Sequence, residues 1–206
     1  MRKLVVVLGV VAAVLVVGDV AARRVAEGRV EERARTEARE ARSVDARIGS
    51  FPFLPRLLLA GSVPEVDVHL VEVTSGPLDL AAVDVDLRGV RLDRGALFSG
   101  VAELQGIDGG TVTVDLDAAA ISRALRLPVS IGGGALRVRF RGLEVSARPE
   151  AGEDGSLVLR ASRLPALRVS LTRSRLVSCA AARATVVGDR VRLACDVTEV
   201  PPALRG

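Results

Sequence analysis

Apolar and polar residues alternate through most of the chain after residue 60. Residues 66–70 and 83–87 read VDVHL and VDVDL, with apolar and polar side chains at every second position. Strands that bury one face produce this period of two. The alternation changes phase between Leu70 and Val71 and again near Gly89, which predicts bulges or strong bends. We therefore predict a curved antiparallel sheet.

Further elements follow from the same patterning and from turn residues. Strands are predicted over 90–92, 111–116, 136–140, 157–160, 167–177 and 184–197. Asp117 has N-cap chemistry for a short helix over 118–125, which Pro128 ends. The glycine triplet 132–134 is interpreted as a turn, because neither a Gly-Lys-Ser/Thr sequence nor a helix follows it.

The amino terminus has the layout of a secretory signal. Arg2 and Lys3 precede an apolar run over 4–17. The run is shorter than the roughly 20 residues of a spanning helix, although residues 20–22 extend it. A cleaved signal peptide over 1–22 and an uncleaved signal anchor both fit. The poor cleavage site favours the anchor, whereas the arginines that follow argue against its orientation.

Ala, Glu and Arg dominate the stretch that follows, which contains no proline up to Arg47. We predict a helix over 23–47. Its thin apolar face leaves two interpretations open, a solvated stalk and a helix lying along the sheet. Residues 48–206 are then expected to form one β-rich domain.

Composition narrows the classes of function. Hydrophobic residues make up 49% of the chain and aromatic residues 2%, with no Trp or Tyr, so the core must be aliphatic. A pI near 10.2 does not by itself indicate nucleic acid, because the stacking rings are missing. Residues 60–120 carry 3 basic and 11 acidic side chains, and residues 121–206 carry 15 and 7. The basic last third fits an anionic partner or solvated strand faces equally well.

Candidates for catalysis are few. His69 is the only histidine, so a His-based metal site or catalytic triad would depend on it, and it lies on the polar side of a strand. Asp84 and Asp86 share a strand face, but acid-base chemistry would need a pocket that raises one pKa. Exposure on an outer face explains all three. We predict no catalytic residue, no metal site, no cofactor and no enzymatic activity.

The two cysteines, Cys179 and Cys195, suggest one disulfide if the chain is exported. A two-residue turn at Gly188-Asp189 would keep the thiols apart. A three-residue loop ending at Gly188 would pair Thr185 with Asp189 and place Cys179 opposite Cys195. We predict the second register. The alternative is a pair of buried free thiols.

Several segments carry a family resemblance: an Asp after the apolar leader, the Arg/Ala/Glu helix, FPFLPRLLLAG, VPEVDVHL, AAVDVDLRGV and TVTVDLDAAAISRAL. Together they resemble the LmeA family of phospholipid-binding envelope proteins of actinobacteria. The resemblance runs from about Asp19 to Val200 and is sharpest over 49–61. The chain departs from the pattern at Pro55-Arg56, where the family has polar neighbours such as Thr-Gln.

The resemblance implies a β-rich α+β fold, a rolled antiparallel sheet with a long N-terminal helix, similar to tubular lipid-binding domains. It also implies an apolar channel that holds phospholipid, a location at the extracytoplasmic face of the plasma membrane in the cell envelope or periplasm, and a supporting role in lipoglycan maturation. The expected partners are phospholipid and membrane, and no nucleic acid.

An acyl channel needs aliphatic walls with few hydrogen-bonding side chains, which fits this composition. We predict that its mouth is lined by Phe51, Phe53, Leu54, Leu57 and Leu58. Charge-assisted contacts to a phosphate are predicted for Arg137, Arg139 and Arg141. Each of these residues also fits an ordinary core or surface position. The alternative function is a membrane-anchored structural or scaffolding envelope protein with a solid interior and no ligand.

Overall fold

The computed structural model describes residues 2–37, 41–75, 78–93, 95, 104–152, 156–161, 164–169 and 181–199. The helices whose bounds it gives are α1 (Arg2–Glu37), α2 (Phe53–Ala60) and α3 (Ala118–Leu125). The strands are β1 (Ala41–Ile48), β2 (Ser62–Ser75), β3 (Leu78–Leu92), β4 (Leu104–Gly106), β5 (Gly109–Asp117), β6 (Val129–Gly132), β7 (Ala135–Phe140), β8 (Leu143–Ala151), β9 (Leu157–Ala161), β10 (Leu164–Val169), β11 (Ala181–Val187) and β12 (Arg190–Val197).

The strands form two antiparallel sheets. The first has the order β1-β2-β3-β5-β12-β11, with β4 also paired to β3, and the second has the order β10-β9-β8-β7-β6. Their apolar faces and α3 enclose one core, whose largest fully buried side chains include Leu116, Ile121, Leu136 and Leu157. The predicted α+β class, a rolled antiparallel sheet with a long N-terminal helix, is confirmed.

Both predicted changes of phase coincide with left-handed backbone. Glu72, next to Val71, has φ 52°, and Gly89 has φ 59°. At Gly89 a side chain would also overlap the Asp108 carboxylate, which packs over it. Glycine is therefore required there for two reasons, conformation and space. The prediction that the sheet bends at these points is confirmed.

The predicted helix over 23–47 is wrong in its last part, because α1 ends at Glu37 and β1 begins at Ala41. Val44, Ala46 and Ile48 are buried at alternate positions of β1, which pairs along its length with β2. Tertiary pairing thus overrides the helical propensity of an Ala/Arg-rich segment. Before that strand, α1 packs on β1 and α2, so the interpretation of a helix along the sheet is confirmed.

Helix α2 covers Phe53–Ala60 although two prolines, three residues apart, lie at its start. Pro52 is its N-cap and Phe53 its first residue. Pro55 lies in the first turn, where a backbone N–H has no partner within the helix and proline costs little. Gly61 ends the helix in the left-handed conformation (φ 61°), with its N–H donated to the Leu57 carbonyl.

The predicted register of the last hairpin is wrong. Val187 pairs with Arg190 across the two-residue turn Gly188-Asp189, and Ala182 lies opposite Cys195. The two registers differ by three residues, and any odd shift exchanges the faces of a strand. The predicted register would have set Arg183 opposite the fully buried Val191. The observed one instead keeps Arg183 outside, where it is bonded to Asp196.

Cys195 is 2% exposed and disulfide-bonded, and no free cysteine remains in the part of the chain that the structure describes. Cys179 lies outside the described residues, as do the positions of the predicted strand 167–177 beyond Val169. The argument that placed Cys179 opposite Cys195 through the hairpin register no longer holds.

Within the described residues, no helix combines the length and the apolar character needed to cross a bilayer. The role of residues 1–22 as signal peptide or anchor stays a prediction.

Candidate functional site

Half-buried valines occupy the centre of the inner face of the first sheet. Val68 on β2 and Val85 on β3 are paired neighbours, in register with Ala46 on one side and Val112 on the other. Paired residues share a face, and the two flanking side chains are only 4% and 1% exposed, whereas the valines between them are half-buried. Val66 is half-buried as well. Solvent thus reaches the middle of an aliphatic surface whose flanking side chains are buried. We call the surface formed by Val66, Val68 and Val85 the inner groove.

The interior is closely packed where α3 meets the two sheets. Ala120 and Ile121 of α3 are completely buried, as are Leu136 and Val138 of β7 and Leu116 of β5. The two sheets and α3 therefore pack without access for solvent at this end of the core. The inner groove lies at the other end, on the strands next to β1, α1 and α2.

Helix α2 divides the predicted mouth residues between two environments. Phe53 is 3% exposed, and Leu54 and Leu57 are half-buried against the core. Phe51 and Leu58 are 66% and 53% exposed. Leu57 lies three and four residues after Leu54 and Phe53, so these three share a face of α2, whereas Leu58 lies at the margin of that face and Phe51 precedes the helix. Only the first three are placed to border the core and its groove.

Asp19, which the sequence analysis noted only as the Asp after the apolar leader, has a structural role at this helix. It is 5% exposed, and its Oδ2 and Oδ1 accept hydrogen bonds from the N–H groups of Phe53 (2.9 Å) and Leu54 (2.6 Å). The N-cap residue Pro52 offers no side-chain bond of its own. A carboxylate of α1 thus caps α2, where the helix dipole also favours a negative charge.

Two glutamates of α1 cover the free edge of β1. Glu27 Oε1 accepts the N–H of Ile48 (3.0 Å), and Glu31 Oε1 accepts the N–H of Ala46 (3.3 Å). Burial raises the pKa of Glu27, but the bonds from Ile48 and Arg23 outweigh it and leave the pKa below its ordinary value. Unpaired edge groups invite association with other strands, so these contacts protect the sheet.

The predicted phosphate-binding arginines lie elsewhere. Arg137 and Arg139 project from β7 on the outer face of the second sheet, opposite the buried Leu136 and Val138, and Arg141 follows in the turn. Arg137 is 3.6 Å from Glu144, and the Arg141 guanidinium lies 5.3 Å from the centre of the Phe140 ring. α2 packs on the other sheet. The structure does not bring the two predicted groups of lipid-binding residues together, and the phosphate role stays a prediction.

The polar candidates for catalysis lie on the outer face of the first sheet. His69 Nδ1 contacts the Asp84 carboxylate at an exposed position. Asp86 lies directly opposite Asp67, whose pKa is raised by partial burial and then by the charges of Glu65 and Asp86. No group of three or more His, Cys, Asp or Glu side chains among the described residues is arranged to hold a metal.

One half-buried ion pair joins two strands on the outer face. Arg192 on β12 donates from Nε and Nη2 to the two oxygens of Asp115 on β5, at 2.8 and 2.9 Å. Asp115 is 5% exposed. The bonds from Arg192 hold its pKa below the ordinary value, although burial acts in the opposite direction. This two-bond geometry joins the neighbouring strands β5 and β12.

Comparison with known proteins bears on the ligand. No curated protein and no solved structure matches the chain. The sequence profile of the LmeA-like phospholipid-binding family matches residues 17–204, a range that includes Asp19, α2 and both sheets. That family favours a binding role over a catalytic one. The chain therefore belongs to the LmeA-like phospholipid-binding family.

Proposed function

We propose that this protein holds the acyl chains of a phospholipid against the inner groove. The observation that carries the proposal is the half-burial of Val66, Val68 and Val85 in the middle of the face, beside closed partners on β1 and β5. An acyl chain is complementary to this surface, because both are aliphatic and neither offers a hydrogen bond. Each Å² of apolar surface removed from water contributes about 25 cal/mol. Family membership supplies the class of ligand.

Helix α2 is the proposed border of the groove. It follows directly after β1, and its half-buried Leu54 and Leu57 pack against the same core as the three valines. Side chains on a short helix are able to change rotamer without disturbing the sheet. We therefore assign to Leu54 and Leu57 the gating role that the sequence predicted for the whole segment.

The proposed setting is the extracytoplasmic face of the plasma membrane in the cell envelope, with the leader retained. Cleavage after Ala22 would remove Asp19, the buried carboxylate that caps α2. A bond between Cys195 and Cys179, the only other cysteine, fits an oxidising compartment. By the family resemblance, the protein would support lipoglycan maturation by supplying or holding lipid, without catalysis.

The test is native mass spectrometry with lipid extraction on the exported full chain. Val68→Phe adds bulk inside the groove, and Val71→Phe adds the same bulk on the same strand but on the outer face, in register with Ala82 and Asp115. Both positions are half-buried. We expect one phospholipid per chain in the wild type and in the Val71 variant, and strongly reduced recovery in the Val68 variant.

Two results would overturn the proposal. A folded wild type that stays empty after incubation with phospholipid would favour the scaffolding alternative, in which the sheet interior holds no ligand. Equal lipid recovery from the Val68 and Val71 variants would place the lipid outside the groove. If Val68→Phe does not fold, Val66→Phe repeats the measurement from the adjacent position, with circular dichroism as the check on folding.

A further inference from the structure

The outward side of α2 is an exposed apolar surface. Phe51, Leu58 and Leu59 are 66%, 53% and 77% exposed, and the prolines at 52 and 55 are exposed between them. Single exposed apolar residues are ordinary on soluble proteins, but large clusters mark interaction sites. We call Phe51, Leu58 and Leu59 the outer face of α2. Within it, Leu59 lies on the side of the helix opposite Leu54 and Leu57, which form the proposed groove border.

A second exposed apolar surface lies on α1. Residues 13–18 are apolar or glycine and are exposed around the whole circumference of the helix, with Val14, Leu15 and Val17 each about two-thirds exposed, at 65%, 68% and 68%. A helix that is apolar on every side belongs in an apolar environment. The two described sheets do not provide one for this segment.

Asp19 brings these two surfaces next to each other. Its carboxylate is bonded to the N–H groups of Phe53 and Leu54, so the start of α2 lies within one helical turn of the exposed valines of α1. Arg24 and Arg56, exposed on α1 and α2, accompany the apolar residues. Apolar side chains flanked by arginine are the composition of helices that lie at a membrane surface, where the cations meet anionic headgroups.

We propose that the outer face of α2, together with residues 13–18 and Val20 of α1, forms one bilayer-docking surface, with α2 lying among the lipid headgroups. A lipid bilayer fits better than a protein partner, because a protein would have to cover a helix that is apolar on all sides. The docking also places Leu54 and Leu57, and with them the border of the groove, beside the membrane. It does not depend on the groove being occupied.

The chain offers a clean probe, because it contains no Trp and no Tyr. Leu59→Trp places a single indole on the outer face of α2. Leu143→Trp is the matched control, since Leu143 is a similarly exposed leucine (67%) in the second sheet. The full-length variants are mixed with vesicles of equimolar phosphatidylcholine and phosphatidylglycerol, and with the same vesicles made from lipid brominated in the acyl chains.

We expect the emission of Leu59→Trp to shift to shorter wavelength with plain vesicles and to be mostly lost with brominated ones, because interfacial helices sit about 5–10 Å into the headgroup boundary. Leu143→Trp should show neither change. Unaltered Leu59→Trp emission, whether or not the protein floats with the vesicles, would overturn the proposal. A blue shift that depends on protein concentration and needs no vesicles would overturn it in favour of a second copy of the chain.

Discussion

Replacing Asp19 by alanine tests whether α1 and α2 form one unit. The substitution removes both acceptors from the N–H groups of Phe53 and Leu54, and nothing else in the N-cap replaces them. A lost N-cap costs about 1 kcal/mol. Hydrogen bonds to a charged group contribute about 1.5–3 kcal/mol each. Water can bond to the freed N–H groups when α2 loosens. We therefore expect the local stability of α2 to fall by about 2 kcal/mol, well below the summed contribution of the two hydrogen bonds.

The loss should be local to α2 and its contact with α1. If the free energy of local opening at α2 falls by about 2 kcal/mol, the Phe53 and Leu54 amides should exchange with solvent about 30-fold faster. Hydrogen exchange followed by mass spectrometry or NMR measures this directly. Global thermal unfolding should change less, because the completely buried core around α3 does not involve Asp19.

Asp117→Ala is the matched control. Asp117 Oδ1 accepts the N–H of Ala120 at 2.6 Å and caps α3, which has the same length as α2. Its loss should cost about 1 kcal/mol and leave exchange at Phe53 and Leu54 unchanged. If Asp19→Ala leaves those two amides as protected as before, the capping role is refuted, and with it the argument that the leader belongs to the folded domain.

Three further outcomes follow from the charges and the close contacts of the first sheet. Asp67→Asn should raise the thermal midpoint at neutral pH. The pKa of Asp67 is raised in the folded protein, so its negative charge opposite Asp86 destabilises the fold as pH rises, and the variant should give no gain below pH 3.8, where the carboxyl is protonated. Arg192→Leu should lower the free energy of unfolding in urea by about 2 kcal/mol, a value between those of exposed and buried ion pairs. This loss should become smaller as pH drops below 3.8 and Asp115 is protonated. Gly110→Ala should destabilise more than alanine at the open Gly132, because a Cβ at Gly110 would meet the Asp86 carbonyl at 2.4 Å; equal midpoints for these two variants would count against the close approach.

The parts of the fold that the sequence predicts are those in which local pattern and tertiary environment agree. Alternation identified β2, β3 and β5, and Asp117 marked the start of α3. The prediction for the β1 segment was wrong because its alanines and arginines favour a helix in isolation. Its strand conformation comes from pairing with β2, a contact with residues 66–73 that local propensity does not report. The predicted register of the last hairpin was wrong for a different reason. That register is set by which side chains of β11 face the core, and the positions of the two cysteines do not determine it.

The groove is harder to predict than the sheet. Val68 and Val112 follow the same alternating pattern on the same face, yet Val68 is half-buried and Val112 is 1% exposed. Their burial differs according to whether another element covers the strand at that point. The sequence of the strand alone does not indicate this. The FPFLPRLLLA segment was recognised as unusual, but its division into an inner and an outer face required the helical bounds of α2.

The polar residues of α1 show why its role was open from sequence. Glu27 and its neighbouring arginines have the spacing of exposed ion pairs, and Arg23 and Glu27 do form one. The same Glu27, together with Glu31, also accepts N–H groups from the edge of β1, and Asp19 caps α2. Each of these acceptors serves a backbone group distant in sequence, which a solvated stalk would not do. α1 is therefore a structural part of the fold, and its exposed apolar residues before Asp19 lie next to α2.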